Sequence, residues 1–343
     1  MTESNIVSLE DLMANLEVKR VIDSVNQEMT ERRQHVPMVC DVFAGSYTRL
    51  ADDDTYRFNI DREAAKTLPA IIKNKVQNVI KEDQPDESFI SSYEKQRNIG
   101  IVFSGGPAPG GHNVIAGIYD AAKKANPDNK IFGFLLGPDG IIENEVEELN
   151  DDLVNAYRNL GGFTMIKTGR TKIDTPQKMS LSRETCKSLN LDALVVVGGD
   201  DSNTNAAFLA QELMEDQIQV IGVPKTIDGD IQVRDTAGKV LCAMSFGFHT
   251  AARAFANSVG NLCTDSSSDV KYWHICKVMG RVASHLALEV ALQTHANMTM
   301  IGEELADYTD AKRLEKAQEE SRTDYLAYGM TLRHLSRAVS YTH

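Results

Sequence analysis

The stretch Gly198-Gly199-Asp200-Asp201-Ser202-Asn203-Thr204 directly follows the apolar run Leu194–Val197. A buried strand that ends this way puts two carboxylates at the carboxyl edge of a sheet, where open α/β folds bind their ligands. The glycines let the backbone approach a ligand closely. Adjacent carboxylates are poor partners for phosphate by themselves, so they call for a hard cation such as Mg²⁺ between them and a phosphate. Ser202-Asn203-Thr204 is expected to cap a following helix, whose N-terminus favours anions. Two further segments repeat the arrangement. Pro224-Lys225-Thr226-Ile227-Asp228-Gly229-Asp230 follows Val220–Val223 and sets carboxylates beside a lysine. Ser104-Gly105-Gly106-Pro107-Ala108-Pro109-Gly110-Gly111-His112-Asn113 follows Ile99–Phe103 and leads into a helix with apolar positions at Val114, Ile118, Ala121 and Ala122. Its glycines and prolines make a stiff loop with exposed N–H groups suited to phosphate. It is neither a Walker A loop nor a G-x-G-x-x-G dinucleotide turn. Any one of these turns also reads as ordinary strand-to-helix geometry. Their recurrence after successive strands points to phosphate chemistry.

The order and spacing of these segments carry a family resemblance. With Thr168-Gly169-Arg170-Thr171-Lys172, Lys271-Tyr272-Trp273-His274, Met279-Gly280-Arg281 and Ile301-Gly302-Glu303-Glu304, they make the chain resemble the phosphofructokinases from about Arg97 to Glu304. Within that family it is similar to the long-form pyrophosphate-dependent branch. The resemblance implies a reversible, Mg²⁺-dependent transfer of phosphate from pyrophosphate to the 1-hydroxyl of fructose 6-phosphate. The alternatives are an ATP-dependent 6-phosphofructokinase and a catalytically inactive, truncated sugar-phosphate-binding subunit.

The resemblance also implies roles. Asp228 matches the family's general base, which takes the proton of the acceptor hydroxyl as the transition state forms. Thr226, Ile227 and Asp230 hold the sugar. Asp200 matches the Mg²⁺-linked aspartate; one carboxylate is enough when the donor's phosphates complete the shell. Gly105 and its loop cradle the donor, and Arg170 stands where an arginine reaches it. Met279, Gly280 and Arg281 match the sugar-phosphate loop, and Glu303 the carboxylate that receives sugar hydroxyls. Lys271 and Tyr272 match a segment reaching into a neighbouring subunit, which implies a homodimer or a higher homo-oligomer. Position 201 bears on the donor, because ATP-using relatives carry glycine there to make room for the α-phosphate. A carboxylate ~4 Å from a phosphate charge costs roughly 4 kcal/mol at an effective dielectric of ~20, near a thousandfold in affinity. Asp201 is therefore expected to exclude ATP by charge and volume, while Lys225 offsets charge on pyrophosphate in the transition state.

The elements that must position these residues follow from periodicity. Apolar runs predict strands at 98–103, 130–136, 163–167, 193–198, 219–224, 271–278 and 297–302, with helices at 113–126, 179–189, 202–214, 245–260 and 281–294 between them. Strands alternating with helices define an α/β fold with right-handed crossovers. The resemblance implies two doubly wound lobes with the active site between them: a donor lobe over 97–226 and a sugar-phosphate lobe over 227–343. Residues 1–96 read as a mostly helical extension, with helical periodicity from Ala64 to Val79 and a break near Pro37. After Glu304 the family pattern is expected to continue well past His343 and to supply a tyrosine–arginine pair, for which no counterpart is visible. The second lobe is thus expected to be incomplete.

Composition agrees with a globular protein with a sizeable core. The chain has 343 residues, 42% of them hydrophobic and 25% charged, with a net charge of −13. So acidic a protein is a poor partner for nucleic acid or anionic membranes. An anionic substrate must then find locally placed lysine, arginine or Mg²⁺. Cys40, Cys186, Cys242, Cys263 and Cys276 show no metal spacing and read as reduced thiols of a cytoplasmic protein, with Cys186 and Cys276 as core residues. No signal peptide or membrane-spanning run is expected. His112, His249, His285 and His295 have no metal spacing, and His274 reads as a core or edge histidine.

Overall fold

The computed structural model describes residues 15–55, 62–229, 232–234, 237–243, 246–268, 271–279 and 284–301. Asp230, Gly280, Arg281 and Glu303 lie outside them. The chain divides into two compact units. One runs up to Val197 and resumes over Asp201–Val223; the other takes Gly198–Asp200 and the residues from Pro224 on.

The first unit opens with α1 (Leu16–Gln34), capped by Asn15, whose side chain accepts from the Glu17 and Val18 N–H groups. The helix stops just before Val36-Pro37, as the restriction on a residue preceding proline requires. The helical expectation fails beyond it. β1 (Tyr47–Asp52) is followed by the short helix α2 (Arg62–Thr67), and β2 (Gln77–Glu82) then pairs antiparallel with β1. Leu68-Pro69 breaks the periodicity seen from Ala64 to Val79, and the β-branched Val76 and Val79 enter or flank the ladder instead. Helix α3 (Glu87–Tyr93) packs Phe89 and Tyr93 edge-on against Tyr47 of β1.

The main sheet is built by β3 (Asn98–Ser104), α4 (Gly111–Ala125), β4 (Lys130–Phe134), α5 (Pro138–Ile142), β5 (Val146–Glu148), α6 (Asp151–Tyr157), α7 (Pro176–Ser188), β6 (Ala193–Gly198), α8 (Asp200–Leu213) and β7 (Gln219–Pro224). Its strand order is β5-β4-β3-β6-β7, with β3 and β4 parallel and β5 an antiparallel edge. The chain winds outward from β3 to β5, then restarts at β6 on the other side of β3. That reversal between β3 and β6 is the topological switch point. The strands β3, β4 and β6 are buried on both faces, whereas the edge strands β5 and β7 are exposed or half-buried. Val102, Phe132, Phe134, Leu194 and Val196 pack with Cys186 of α7 and Ala206, Leu209 and Leu213 of α8. By alternation Ile101, Phe103, Val195 and Val197 face the other way, and Phe103 stacks on Phe163 with centroids 4.1 Å apart. Helix α4 buries Ile115, Ala116, Tyr119 and Ala122. Val114 and Ile118 are only half-buried and Ala121 is exposed, so the apolar stripe lies one residue from its expected place.

Residues 163–167 form turns and not a strand. Left-handed Gly161, Gly162 and Lys167 bend both ends of the run. Its apolar side chains are buried all the same, with Phe163 against Phe103 and Ile166 fully enclosed.

In the second unit β8 (Gln232–Arg234) and β9 (Val240–Ala243) form an antiparallel ribbon. Helices α9 (Phe248–Ser268) and α10 (His285–Thr294) pack together and bury Ala252, Ala256, Leu286 and Val290. Helix α9 extends beyond its expected end at 260. Residues 271–279 and 297–301 form no strand. The former has strand-like residues but no ladder partner among the described residues, and an isolated strand does not hold itself. Cys276 is accordingly exposed, while Cys186 is in the core. Burial pushes the Cys186 thiol up to about 12, which makes it a packing residue and not a nucleophile.

Candidate functional site

In the first unit the candidate donor residues gather where β3 and β6 end. Gly105 follows β3 with φ of 91°. This left-handed turn is strained for any residue with a Cβ. Its N–H donates to the Gly169 carbonyl at 2.7 Å, and its own carbonyl accepts from Thr168 Oγ1 at 2.8 Å. The Thr168–Lys172 segment is thereby laced to the glycine turn. A Cβ on Gly106 would lie 3.3 Å from Arg170 Nη2, so the guanidinium sits directly beside the turn. Helix α4 begins a few residues later with glycine at its N-cap and no acidic residue in its first turn. Its N–H groups and dipole favour an anion there.

Helix α8 starts at Asp200, immediately after the Gly198-Gly199 break. Ser202, Asn203 and Thr204 are therefore inside the helix and not its caps. The two aspartates occupy its first turn, where the helix dipole stabilises carboxylates. Ser202 Oγ, buried, donates to Ser104 Oγ at 2.8 Å and ties α8 to the end of β3. Asp201 is exposed and ion-paired with Lys172, Nζ to Oδ2 at 3.4 Å.

The Lys172 segment is held by contacts that sequence reasoning missed. Asn205 clamps Ile173 twice, accepting from its N–H and donating to its carbonyl, both at 2.9 Å. Thr171 Oγ1 donates to Asp139 at 2.8 Å. The available signal was the i, i+4 spacing of Asp201 and Asn205, which places them on one helix face.

His112, assigned no role from sequence, is a buried residue that holds the turns over 163–167. It is 1% exposed, and its Nε2 accepts the Met165 N–H at 3.0 Å. The proton is then on Nδ1, which has no hydrogen-bond partner among the described residues. Burial pushes its pKa down from 6.5 to about 4. Between those two values the unfolded chain binds the proton and the folded chain does not, so stability falls as pH drops from 6.5 toward 4. In urea titrations at pH 7 and pH 5, His112→Gln is expected to lose less stability on acidification than the unsubstituted chain. An equal loss in the two proteins would remove His112 as the source.

In the second unit the Lys225 N–H donates to the Gly198 carbonyl at 2.7 Å, which sets the Lys225–Asp228 turn alongside Gly198–Asp200. Lys225 and Thr226 are buried and Ile227 and Asp228 half-buried. Thr226 Oγ1 accepts the Asp228 N–H at 3.0 Å. Gly229 follows with φ of 71°, and a Cβ there would meet His285 and Phe248, at the starts of α10 and α9, at 3.4–3.5 Å. Two helix starts thus fix the turn that carries Asp228. Lys271 Nζ lies 5.3 Å from the centroid of the exposed Tyr272 ring, a cation–π contact, and Met279 is exposed. His274 Nδ1 lies 3.1 Å from Ser266 Oγ of α9 and is not a core residue.

Among the described residues no group of three or more His, Cys, Asp or Glu side chains converges as metal ligands. A single hard carboxylate such as Asp200 suits Mg²⁺ that brings phosphate and water as its other ligands. No helix among the described residues is long and apolar enough to cross a membrane.

A glycine turn and an acidic helix start lie at the switch point of an α/β sheet, the place where open α/β folds bind ligands. The chain belongs to the phosphofructokinase family, whose pattern matches residues 98–328. It is 50% identical over 210 residues to a pyrophosphate–fructose 6-phosphate 1-phosphotransferase of Porphyromonas gingivalis, covering 61% of this chain and 37% of that protein. It is 42% identical over 296 residues to the protein of the same name from Treponema pallidum, covering 82% of this chain and 50% of the relative. The chain thus spans half or less of the length of these relatives. Among solved structures, a phosphofructokinase from Saccharomyces cerevisiae matches with a TM-score of 0.51 at 23% identity, covering 66% of this chain and 32% of that one, a likeness of fold alone.

Proposed function

We propose that this chain carries the donor site and part of the acceptor site of a pyrophosphate-dependent phosphofructokinase, which passes phosphate reversibly from pyrophosphate to the 1-hydroxyl of fructose 6-phosphate in cytoplasmic glycolysis. The observation that carries the reading is aspartate at 201, where a nucleotide's α-phosphate needs room, in a helix start tied to the Gly105 turn. The names of the relatives at 42–50% identity support the same donor.

In this reading residues 97–226 form the donor lobe, residues 227–343 belong to the sugar-phosphate lobe and residues 1–96 are an extension. The Gly105 turn, the start of α4 and Arg170 bind pyrophosphate. Lys225, buried and therefore weakly screened, offsets the charge that develops on it. Asp228 accepts the proton of the attacking hydroxyl. Thr226 bonds the backbone of that turn and orients the base, and with Ile227, Asp230, Met279, Gly280, Arg281 and Glu303 it holds the sugar. Asp200 would hold Mg²⁺, which would supply charge neutralisation to the phosphates. Lys271 and Tyr272 serve a neighbouring copy in a homodimer or larger assembly.

Isothermal titration with Mg²⁺–pyrophosphate and with Mg²⁺–ATP tests the donor. Pyrophosphate is expected to bind and ATP to give no heat at the same concentrations. ATP binding as tight as pyrophosphate would overturn the reading.

A further inference from the structure

We propose that Lys172 is a positioning residue for donor choice: it holds and neutralises Asp201, so that a carboxylate placed against nucleotides does not also repel pyrophosphate. The inference rests on the pyrophosphate reading above and adds to it a residue with no previous role.

A carboxylate in a donor site raises a physical difficulty. Its charge repels any phosphate that comes near, the wanted donor included. Asp201 stands in the first turn of α8, the element that Ser202 fastens to the end of β3 beside the Gly105 turn. Lys172 Nζ lies 3.4 Å from Asp201 Oδ2, and the two side chains are 59% and 65% exposed. A pair so exposed does little for stability. Its backbone mount, however, is far more rigid than a surface lysine requires. The residue before it is bonded to Asp139, and the residue after it is buried and clamped at both backbone groups by Asn205, one turn along α8 from Asp201. The Lys172 carbonyl itself accepts from Lys178 Nζ at 2.9 Å. The same helix that presents the carboxylate therefore fixes the segment that presents its counter-ion. Arg170, two residues earlier, lies against Gly106 on the same laced segment. The division of labour follows: Arg170 faces the donor turn and Lys172 faces the selectivity carboxylate.

A double-mutant cycle read by calorimetry with Mg²⁺–pyrophosphate tests this on the intact chain. Lys172→Met is expected to weaken pyrophosphate binding about fivefold, the effect of one unit-charge contact in a water-like dielectric. In an Asp201→Asn background the same substitution is expected to change binding by less than about twofold, because its partner charge is gone. Lys172→Arg is expected to preserve binding, and thermal midpoints should stay level because Lys172 is exposed. A loss of the same size in both backgrounds would show that Lys172 contacts the donor itself and would overturn the inference alone. No loss in Lys172→Met would overturn it as well. If the unsubstituted chain bound no pyrophosphate, the donor reading would fall, and this inference with it.

Discussion

Replacing Asp228 with asparagine is expected to lower Mg²⁺-dependent turnover of pyrophosphate with fructose 6-phosphate by about 10²–10⁴-fold, the usual worth of a general base. Pyrophosphate affinity should barely change, because a base acts on the acceptor's proton and not on the donor. Asparagine keeps the volume of the side chain and a hydrogen-bonding oxygen, so the turn should survive. The surrounding contacts support that expectation. The Asp228 N–H is held by Thr226 Oγ1, and left-handed Gly229 packs against the starts of two helices. Initial rates and calorimetric affinities on the same preparation separate the two effects. A turnover within about threefold of the unsubstituted enzyme would remove Asp228 from the role of base. A parallel loss of pyrophosphate affinity would point instead to collapse of the Lys225–Asp228 turn.

Much of the fold was legible because its strongest signals are local. The runs Ile99–Phe103 and Leu194–Val197 are continuous apolar strands, and each ends in glycines, so strand, turn and following helix could be read together. The errors fall where local pattern and long-range partner disagree. Residues 163–167 look like a buried strand, but the glycines before them and left-handed Lys167 turn the run into a buried plug. The 271–278 run is rich in strand-forming Tyr, Trp, Ile and Val, and finds no ladder partner among the described residues. In the N-terminal region Pro69 decides, ending a helix whose periodicity otherwise continues. At the candidate site, Gly105, Arg170 and Asp201 could be singled out because glycine in a turn, arginine and aspartate each suggest a chemistry by residue type alone. Lys172 and Asn205 were not, because their meaning lies in what they touch. The i, i+4 spacing puts Asn205 on the face of Asp201, but what that face holds is decided only when the fold brings Ile173 against α8.

Replacing Asp201 and Lys225 together by glycine is expected to exchange the donor, with ATP binding gained and pyrophosphate turnover lost. The repulsion expected from sequence, roughly 4 kcal/mol at a dielectric of ~20, takes the carboxylate as partly screened and counts no partner charge. Asp201 is 65% exposed and paired with Lys172. At the dielectric of water the same contact costs about 1 kcal/mol, near fivefold, before the partner's charge is counted. Volume must then carry most of the discrimination, since two atoms cannot share the α-phosphate position whatever the screening. This orders the single variants. Asp201→Asn, which removes charge and keeps volume, should leave ATP largely excluded. Asp201→Gly, which removes both, should admit it. Lys225 works on the other side of the exchange. It is buried, so its charge is screened far less than that of Asp201, and its removal should cost pyrophosphate turnover heavily while leaving ATP little affected. Calorimetry with both donors on the three variants, joined to a coupled assay, reads these effects separately. Nucleotide binding by Asp201→Asn as tight as by Asp201→Gly would show that charge and not volume decides. A double variant that bound no ATP while pyrophosphate turnover persisted would defeat the assignment of both residues to donor choice.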